Sequence, residues 1–188
     1  MARKKTILKK DILSAADELV REEGFKGITA RNIAKRMDCS TQPIYLEFKN
    51  MNELKEELFQ NAQGFLDETV FSKERTGKPL LDTCLNYIEF AEEEKTFFTA
   101  LYLEGEIPPK EIHEVSYEHF KKAFEKDYFI SQMAEPGKVE LFETLWPYVH
   151  GTASLVAQDC LAYDEQTMTG KVKTVIKALF SPEISPTK

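Results

Sequence analysis

Apolar residues recur at helical spacing along almost the whole chain, and no segment alternates apolar and polar residues as a half-buried strand would. That pattern excludes sheet-based folds and leaves an all-α architecture. In the first segment Ile12, Ala15, Ala16, Leu19 and Val20 form a continuous stripe, and Gly24 supplies the stop. Thr29 is placed to cap a second short helix whose inward face is Ala30, Ile33, Ala34 and Met37. Asp38 then serves as a turn residue that tolerates positive φ. Ser40 is expected to cap a third helix, anchored to a core by Ile44 and Phe48. Asn50 with Glu53 predicts a capping box that opens a fourth helix through Leu54, Leu58, Ala62, Phe65 and Leu66.

Further helices follow the "KERTGKP" break. One carries Leu81, Cys84, Leu85, Ile88 and Ala91, and a short one follows in "KTFFTALYLEG". Another begins near "EIPPKE" and carries Ile112, Ser116, Phe120 and Ala123. "AEPGK" reads as a break, followed by a long helix over residues 138–163, apolar nearly all round, with Pro147 as a point of kinking. The last helix shows Val172, Val175, Ile176, Leu179 and Phe180, and the tail "SPEISPTK" is expected to fray.

Charge divides this helical chain. Residues 1–50 hold eleven Lys/Arg against seven Asp/Glu, a balance of +4, so a net charge of −7 leaves −11 on the remainder. A basic head on an acidic body points to one end that meets an anion. No apolar run reaches the length of a membrane span, and "MARKKTILKK" lacks the apolar stretch of a secretory signal. Cys39, Cys84 and Cys160 are far apart and odd in number, as suits free thiols in a reducing cytoplasm. The three histidines have no metal-ligand spacing, and no nucleophile–base–acid grouping or glycine-rich phosphate loop occurs. No metal, no cofactor and no catalytic activity are therefore expected.

The stretch "CSTQPIYLEF" carries the functional signal. Two short helices joined by a tight turn, the second with a polar start, fit a helix-turn-helix. Such a helix reads base edges with its N-terminal residues. Thr41 and Gln42 stand there; Gln can make two hydrogen bonds to adenine, and Thr offers a hydroxyl and a methyl. Pro43 falls in the first turn, where an amide has no intrahelical partner, and its ring suits a thymine methyl. Tyr45 and Lys49, four apart, are placed for phosphates. Thr29 and Arg31 open the second helix, where free amides favour an anion. Arg3, Lys4, Lys5, Lys9 and Lys10 form a basic arm for phosphates or the minor groove.

The segment "ILSAADELVREEGFKGITARNIAKRMDCSTQPIYLEFKNMNEL" resembles the N-terminal domain of the tetracycline-repressor (TetR-type) family of bacterial transcription regulators. The resemblance rests on "EGF", "IA", Ser40, "IY" at 44–45, Phe48 and "NEL" at 52–54, and covers about the first quarter of the chain. It implies a homodimer with a helix-turn-helix domain, residues 1–50, and a helical ligand-binding and dimerisation body, residues 51–188. Its implied partners are a double-stranded DNA operator and a small-molecule effector. Asp38 stands where relatives often have Gly. Glu47 would repel phosphate and is left out of the contact set. Leu46 replaces a commonly polar residue; it either packs locally, the expectation favoured here, or meets a thymine methyl.

In the body, aromatic and polar side chains make Phe90, Phe98, Tyr102, Tyr117, Phe120, Trp146 and His150 the candidate ligand contacts, although core packing is the alternative for each. The long helix and the last helix carry more apolar surface than one core face needs. Gly151 and Ser154 would admit a close partner helix, and Val172, Val175, Ile176 and Leu179 would complete a dimer face. The expected function is a transcriptional repressor released from a palindromic operator by a small ligand. A ligand-independent dimeric DNA-binding or interaction module remains the alternative, with a helical enzyme behind it.

Overall fold

The structure, a computed structural model, describes residues 7–180. The candidates Lys4 and Lys5, with Arg3 and the "SPEISPTK" tail, lie outside the described residues. All regular structure among the described residues is helical. The α-helices are α1 (Lys9–Glu23), α2 (Ala30–Arg36), α3 (Gln42–Glu47), α4 (Met51–Phe65), α5 (Pro79–Glu93), α6 (Lys95–Tyr102), α7 (Pro109–Lys126), α8 (Glu135–Ala157) and α9 (Glu165–Leu179). A 3-10 turn, Phe25–Gly27, follows α1, a π-helical turn, Leu66–Val70, follows α4, and a second 3-10 turn, Ile130–Gln132, precedes α8.

The chain divides into two compact units, Met1–Phe65 with Thr96–Ile107, and Leu66–Lys95 with Pro108–Lys188. The first unit thus extends past residue 50 to take in α4 and most of α6. In it α1 packs on α2, α3 and α4 through the expected stripe, Ile12, Ala15, Ala16, Leu19 and Val20, all buried. Arg21 lies over the rings of Phe65 and Phe97, 4.3 and 4.0 Å from their centroids, and ties α1 to α4 and α6. Gly24 ends α1 at φ +73°, and the Glu104 carboxylate sits so near that an added Cβ would lie 2.5 Å from its Oε1. That carboxylate accepts the Phe25 amide at 2.9 Å, and it is the left-handed φ that calls for glycine here.

In the second unit α5 is the central helix, packed on α7, α8 and α9. Buried residues run round it, including Asp82, Thr83 and Asn86. Two of these side chains bond to the loop that covers them. Asp82 accepts the amides of Arg75 and Thr76, and Asn86 donates to the Lys73 carbonyl. The α8 helix begins at Glu135, so Pro136 and Gly137 lie in its first turn and "AEPGK" starts a helix instead of only breaking the chain. It runs through Pro147 and ends at Ala157, earlier than residue 163. There Asp159 takes φ +57°, Cys160 N–H bonds Leu155 C=O, and Asp159 N–H bonds Val156 C=O, a Schellman closure.

Candidate nucleic-acid interface

The helix-turn-helix assembles from local chemistry. Thr29 has extended dihedrals, and its hydroxyl accepts the Asn32 amide at 3.1 Å, capping α2 as expected. Asn32 donates back to the Gly27 carbonyl and holds the entry to α2. At its exit Asp38 sits at φ +50°, with Cys39 N–H on Ala34 C=O and Asp38 N–H on Lys35 C=O. This is the pairing a Schellman glycine would give; a short acidic side chain tolerates it. The turn then presents α3.

Three details of α3 differ from expectation. The N-cap position belongs to Thr41, not Ser40, and the Thr41 side chain makes no capping bond. Pro43 is therefore one position nearer the helix start, still within the first turn, where its missing amide costs nothing. Lys49 does not share a helical face with Tyr45. The helix closes at Glu47, and Phe48 is an extended, buried C-cap. The Lys49 amide instead donates to Glu53, while Asn50 Oδ1 accepts the Glu53 amide, so the expected capping box is displaced by one residue on its return bond. Finally, Leu46 is 76% exposed, which overturns its expected local packing. Met37 is also only half-buried, because α2 ends before it.

Anchor and display are sharply divided. Ile44 and Phe48 are 0% and 2% exposed and seat α3 on the first unit's core. Thr41, Gln42, Tyr45, Leu46, Glu47 and Lys49 are exposed, and Pro43 is half-exposed. Thr29 and Arg31 are exposed at the start of α2, and Ser40 is exposed in the turn. The cations differ in readiness. Arg36 is held by Glu18 and Glu22, which raise its pKa, and Lys9 is held by Glu57. Arg31 and Lys49 have no ion-pair partner among the described residues, so meeting a phosphate breaks no internal bridge.

Residues 12–59 match the family model for bacterial regulatory proteins of the tetR family. This N-terminal stretch is similar to the DNA-binding domain of that family. The matched residues include α2 and α3, the two helices of the helix-turn-helix. Similar solved structures extend the likeness of fold over most of the chain. A putative TetR-family regulator from Vibrio parahaemolyticus superposes at a TM-score of 0.65 with 17% identity, covering 90% of this chain and 96% of that one. The fatty acid degradation regulator FadR from Bacillus halodurans gives 0.61 with 21% identity, over 97% and 99% of the two chains. NalD, the secondary repressor of a multidrug efflux pump in Pseudomonas aeruginosa, gives 0.57 with 18% identity, over 94% and 97%. No curated protein matches the sequence.

The other candidate sites lie in both units. Phe98 and Tyr102 belong to the first unit and are buried there. Phe90 and Phe120 are buried in the second unit, where Tyr117, Trp146 and His150 are half-buried. Trp146 stacks on Phe142 and His150 at 5.6 and 5.0 Å, and His150 Nδ1 meets the Tyr87 hydroxyl at 2.8 Å. None of the seven lines the 300 Å³ cleft of the second unit, whose walls include Asp67, Phe71, Thr83, His119 and Lys122. Asp67 and Phe71 carry no sequence signal for this role, because their partner His119 is 52 residues from Asp67. Among the dimer candidates, Val172 is buried in the chain's own core and unavailable to a partner. Gly151 is exposed, while Ser154, Val175, Ile176 and Leu179 are partly exposed. Leu155 and Phe180, both about half-exposed, are the apolar additions; Leu155 lies one helical turn from Gly151, a spacing that could have flagged it. Among the described residues, no cluster of three or more His, Cys, Asp or Glu could hold a metal, and no helix is long and apolar enough to cross a membrane.

Proposed function

We propose that the chain is a cytoplasmic repressor that binds a palindromic operator as a homodimer and leaves it when a small molecule occupies the second unit. The observation that carries this reading is the division on α3, where Ile44 and Phe48 are buried and Thr41, Gln42 and Tyr45 face outward. Gln42 and Thr41 read bases, Pro43 flanks them, and Tyr45, Lys49, Thr29, Arg31 and Ser40 meet the backbone. A two-fold dimer then matches two half-sites about one helical turn apart, or a multiple of it. Leu155, Val175, Ile176, Leu179 and Phe180 supply exposed apolar surface for the partner, with Gly151 and Ser154 letting the helices approach.

Release requires that the ligand bind the DNA-incompetent arrangement more tightly, since equal affinity shifts nothing. The cleft beside His119 is the cavity of the second unit taken here for the ligand, and Tyr117, Trp146 and His150 are half-buried aromatics of the same unit. Repression is favoured over activation because NalD, and SmeT of Stenotrophomonas maltophilia, are described as repressors of efflux pumps. One observation favours the ligand-independent module as a second reading: Phe90, Phe98 and Phe120 fill packed core.

Footprinting of genomic fragments with the purified chain tests the operator. A protected palindrome supports the proposal, and uniform protection of all fragments refutes it. A thermal-shift screen on the DNA-bound and free protein separates the two readings of the body, since a ligand that stabilises the free chain and releases DNA excludes the ligand-independent module.

A further inference from the structure

We propose that Leu46 is a specificity-determining residue that reads the 5-methyl group of a thymine in the major groove. The inference rests on the base-reading role of α3.

Helical phase is the first support. Successive residues on a helix turn by roughly 100°, so a residue two positions from an inward anchor points roughly 200° away from it. Ile44 is fully buried and Leu46 is 76% exposed, so Leu46 stands at the outward pole of α3. Gln42, two residues before Ile44, shares that pole within roughly 40°. Gln42 and Leu46 are then one turn apart, roughly 6 Å along the axis, close to the rise of two base pairs. Any docking that brings the Gln42 amide to a base edge brings Leu46 to a base edge about two steps away.

Electrostatics supplies the second support by disfavouring phosphate as the neighbour of Leu46. The α3 helix contains no Lys or Arg, and Glu47 follows Leu46 directly. A concave surface of about 990 Å³ beside α3 is lined by Leu46, Pro43, Gln42 and Glu47, and also by Asp11, Glu18 and Asp38. Its one cation among the described residues, Arg36, is already bridged to Glu18 and Glu22. With Glu18 bridged, Asp11, Asp38 and Glu47 remain to disfavour a phosphate close to Leu46, and a base edge is the better neighbour. A lone exposed leucine on an ordinary surface needs no explanation. On a base-reading pole it has one apolar counterpart, because the thymine methyl is the apolar group that the four base pairs present in the major groove. A Leu cannot read a hydrogen-bonding pattern, so its contribution is preference for T at one position of each half-site.

The experiment removes that methyl alone. Preferred sites are first selected from a randomised duplex with the full chain. Each thymine of the selected site is then replaced singly by uracil, and affinities are measured for the parent and for Leu46→Ala. Burying one methyl-sized group corresponds to roughly a fourfold change in affinity. The parent should lose about fourfold at one thymine per half-site, two base pairs from the position that Gln42 reads. Leu46→Ala should bind the thymine and uracil forms of that position equally, with an unchanged melting temperature because Leu46 buries little. If selection enriches a site but no uracil replacement weakens the parent, the Leu46 assignment is overturned while base reading by α3 stands. If Leu46→Ala remains as sensitive to the uracil as the parent, another residue reads that methyl and the proposal also fails. If selection enriches no sequence, base reading itself fails and the proposal falls with it.

Discussion

Acidification should destabilise the second unit through His119. This ring is 4% exposed, stacks on Phe71 at 4.2 Å, and places Nδ1 2.9 Å from Asp67 Oδ1. Burial pushes its pKa down to about 4, against the counter-pull of the Asp67 charge and hydrogen bond. The unfolded chain should titrate near 6.5. Between those values the unfolded state binds a proton that the folded state refuses, so stability rises with pH across the window. The contribution is fully present above about pH 6.5 and is lost as pH falls towards 4. At 1.36 kcal/mol per unit the whole shift amounts to about 3 kcal/mol, and roughly 2 kcal/mol of it is lost between pH 7.5 and pH 5. That is a large share of a domain's usual margin of about 5–15 kcal/mol.

The assay is urea denaturation at pH 7.5 and pH 5, read by the single tryptophan, Trp146, which lies in the same unit. The variant is His119→Gln, which is neutral at both values. His119→Gln is expected to start less stable at pH 7.5, through lost stacking on Phe71 and lost packing. Its acid-induced loss should then be about 2 kcal/mol smaller than the parent's. His150 is shifted in the same direction by burial, so the variant retains some acid sensitivity. Equal losses in the two proteins would show that His119 is not the titrating group. A parent stabilised on acidification would reverse the sign of the whole account.

The remaining predictions concern the head and the partner surface. Gln42→Ala should cost about 1–3 kcal/mol at the selected site and relax preference at one or two base pairs, with little effect on random duplex, as measured by titration on both. Lys49→Ala should weaken both duplexes alike and lower the salt slope by about one unit per subunit; a change of preference with an unaltered slope would contradict its phosphate role. Thr29→Ala removes the cap on Asn32 and should lower the stability of the DNA-binding unit by about 1 kcal/mol, seen as a shifted denaturant midpoint. Leu179→Asp places a charge on the partly exposed face of α9 and should raise the dimer dissociation constant in sedimentation; a parent that sediments as a folded monomer at micromolar concentration would remove the dimer proposal.

Much of the head was legible in the sequence because its determinants are local. The Thr29 cap, the Asp38 turn and the Gly24 stop each satisfy amides or carbonyls within six residues, so side-chain chemistry and spacing suffice to place them. The second unit was less legible because its determinants are distant. Asp82 and Asn86 look like the solvent side of α5, yet both are buried beneath the loop of residues 73–76 that they hold. Asp67 and His119 meet across 52 residues, and neither carries a local mark of the other. Val172 has the same chemistry as Val175, and only the packing of α9 on α5 and α8 puts one in the core and the other at the surface.

Leu46 is a different kind of miss, and a more instructive one. Its position was implied by its neighbours. Ile44 and Phe48, four apart, define one inward face, and no residue two positions from each can share it on a regular helix. Residue type nevertheless outweighed phase, because a leucine suggests burial by default. The default fails wherever a short helix has a core on one side only. On α3 that core is filled by Ile44 and Phe48, so a further apolar side chain has nothing within the unit to cover it. In a recognition helix such a residue faces the groove, where its apolar surface becomes a means of choosing between bases. Phase alone therefore places Leu46 on the outward face of α3.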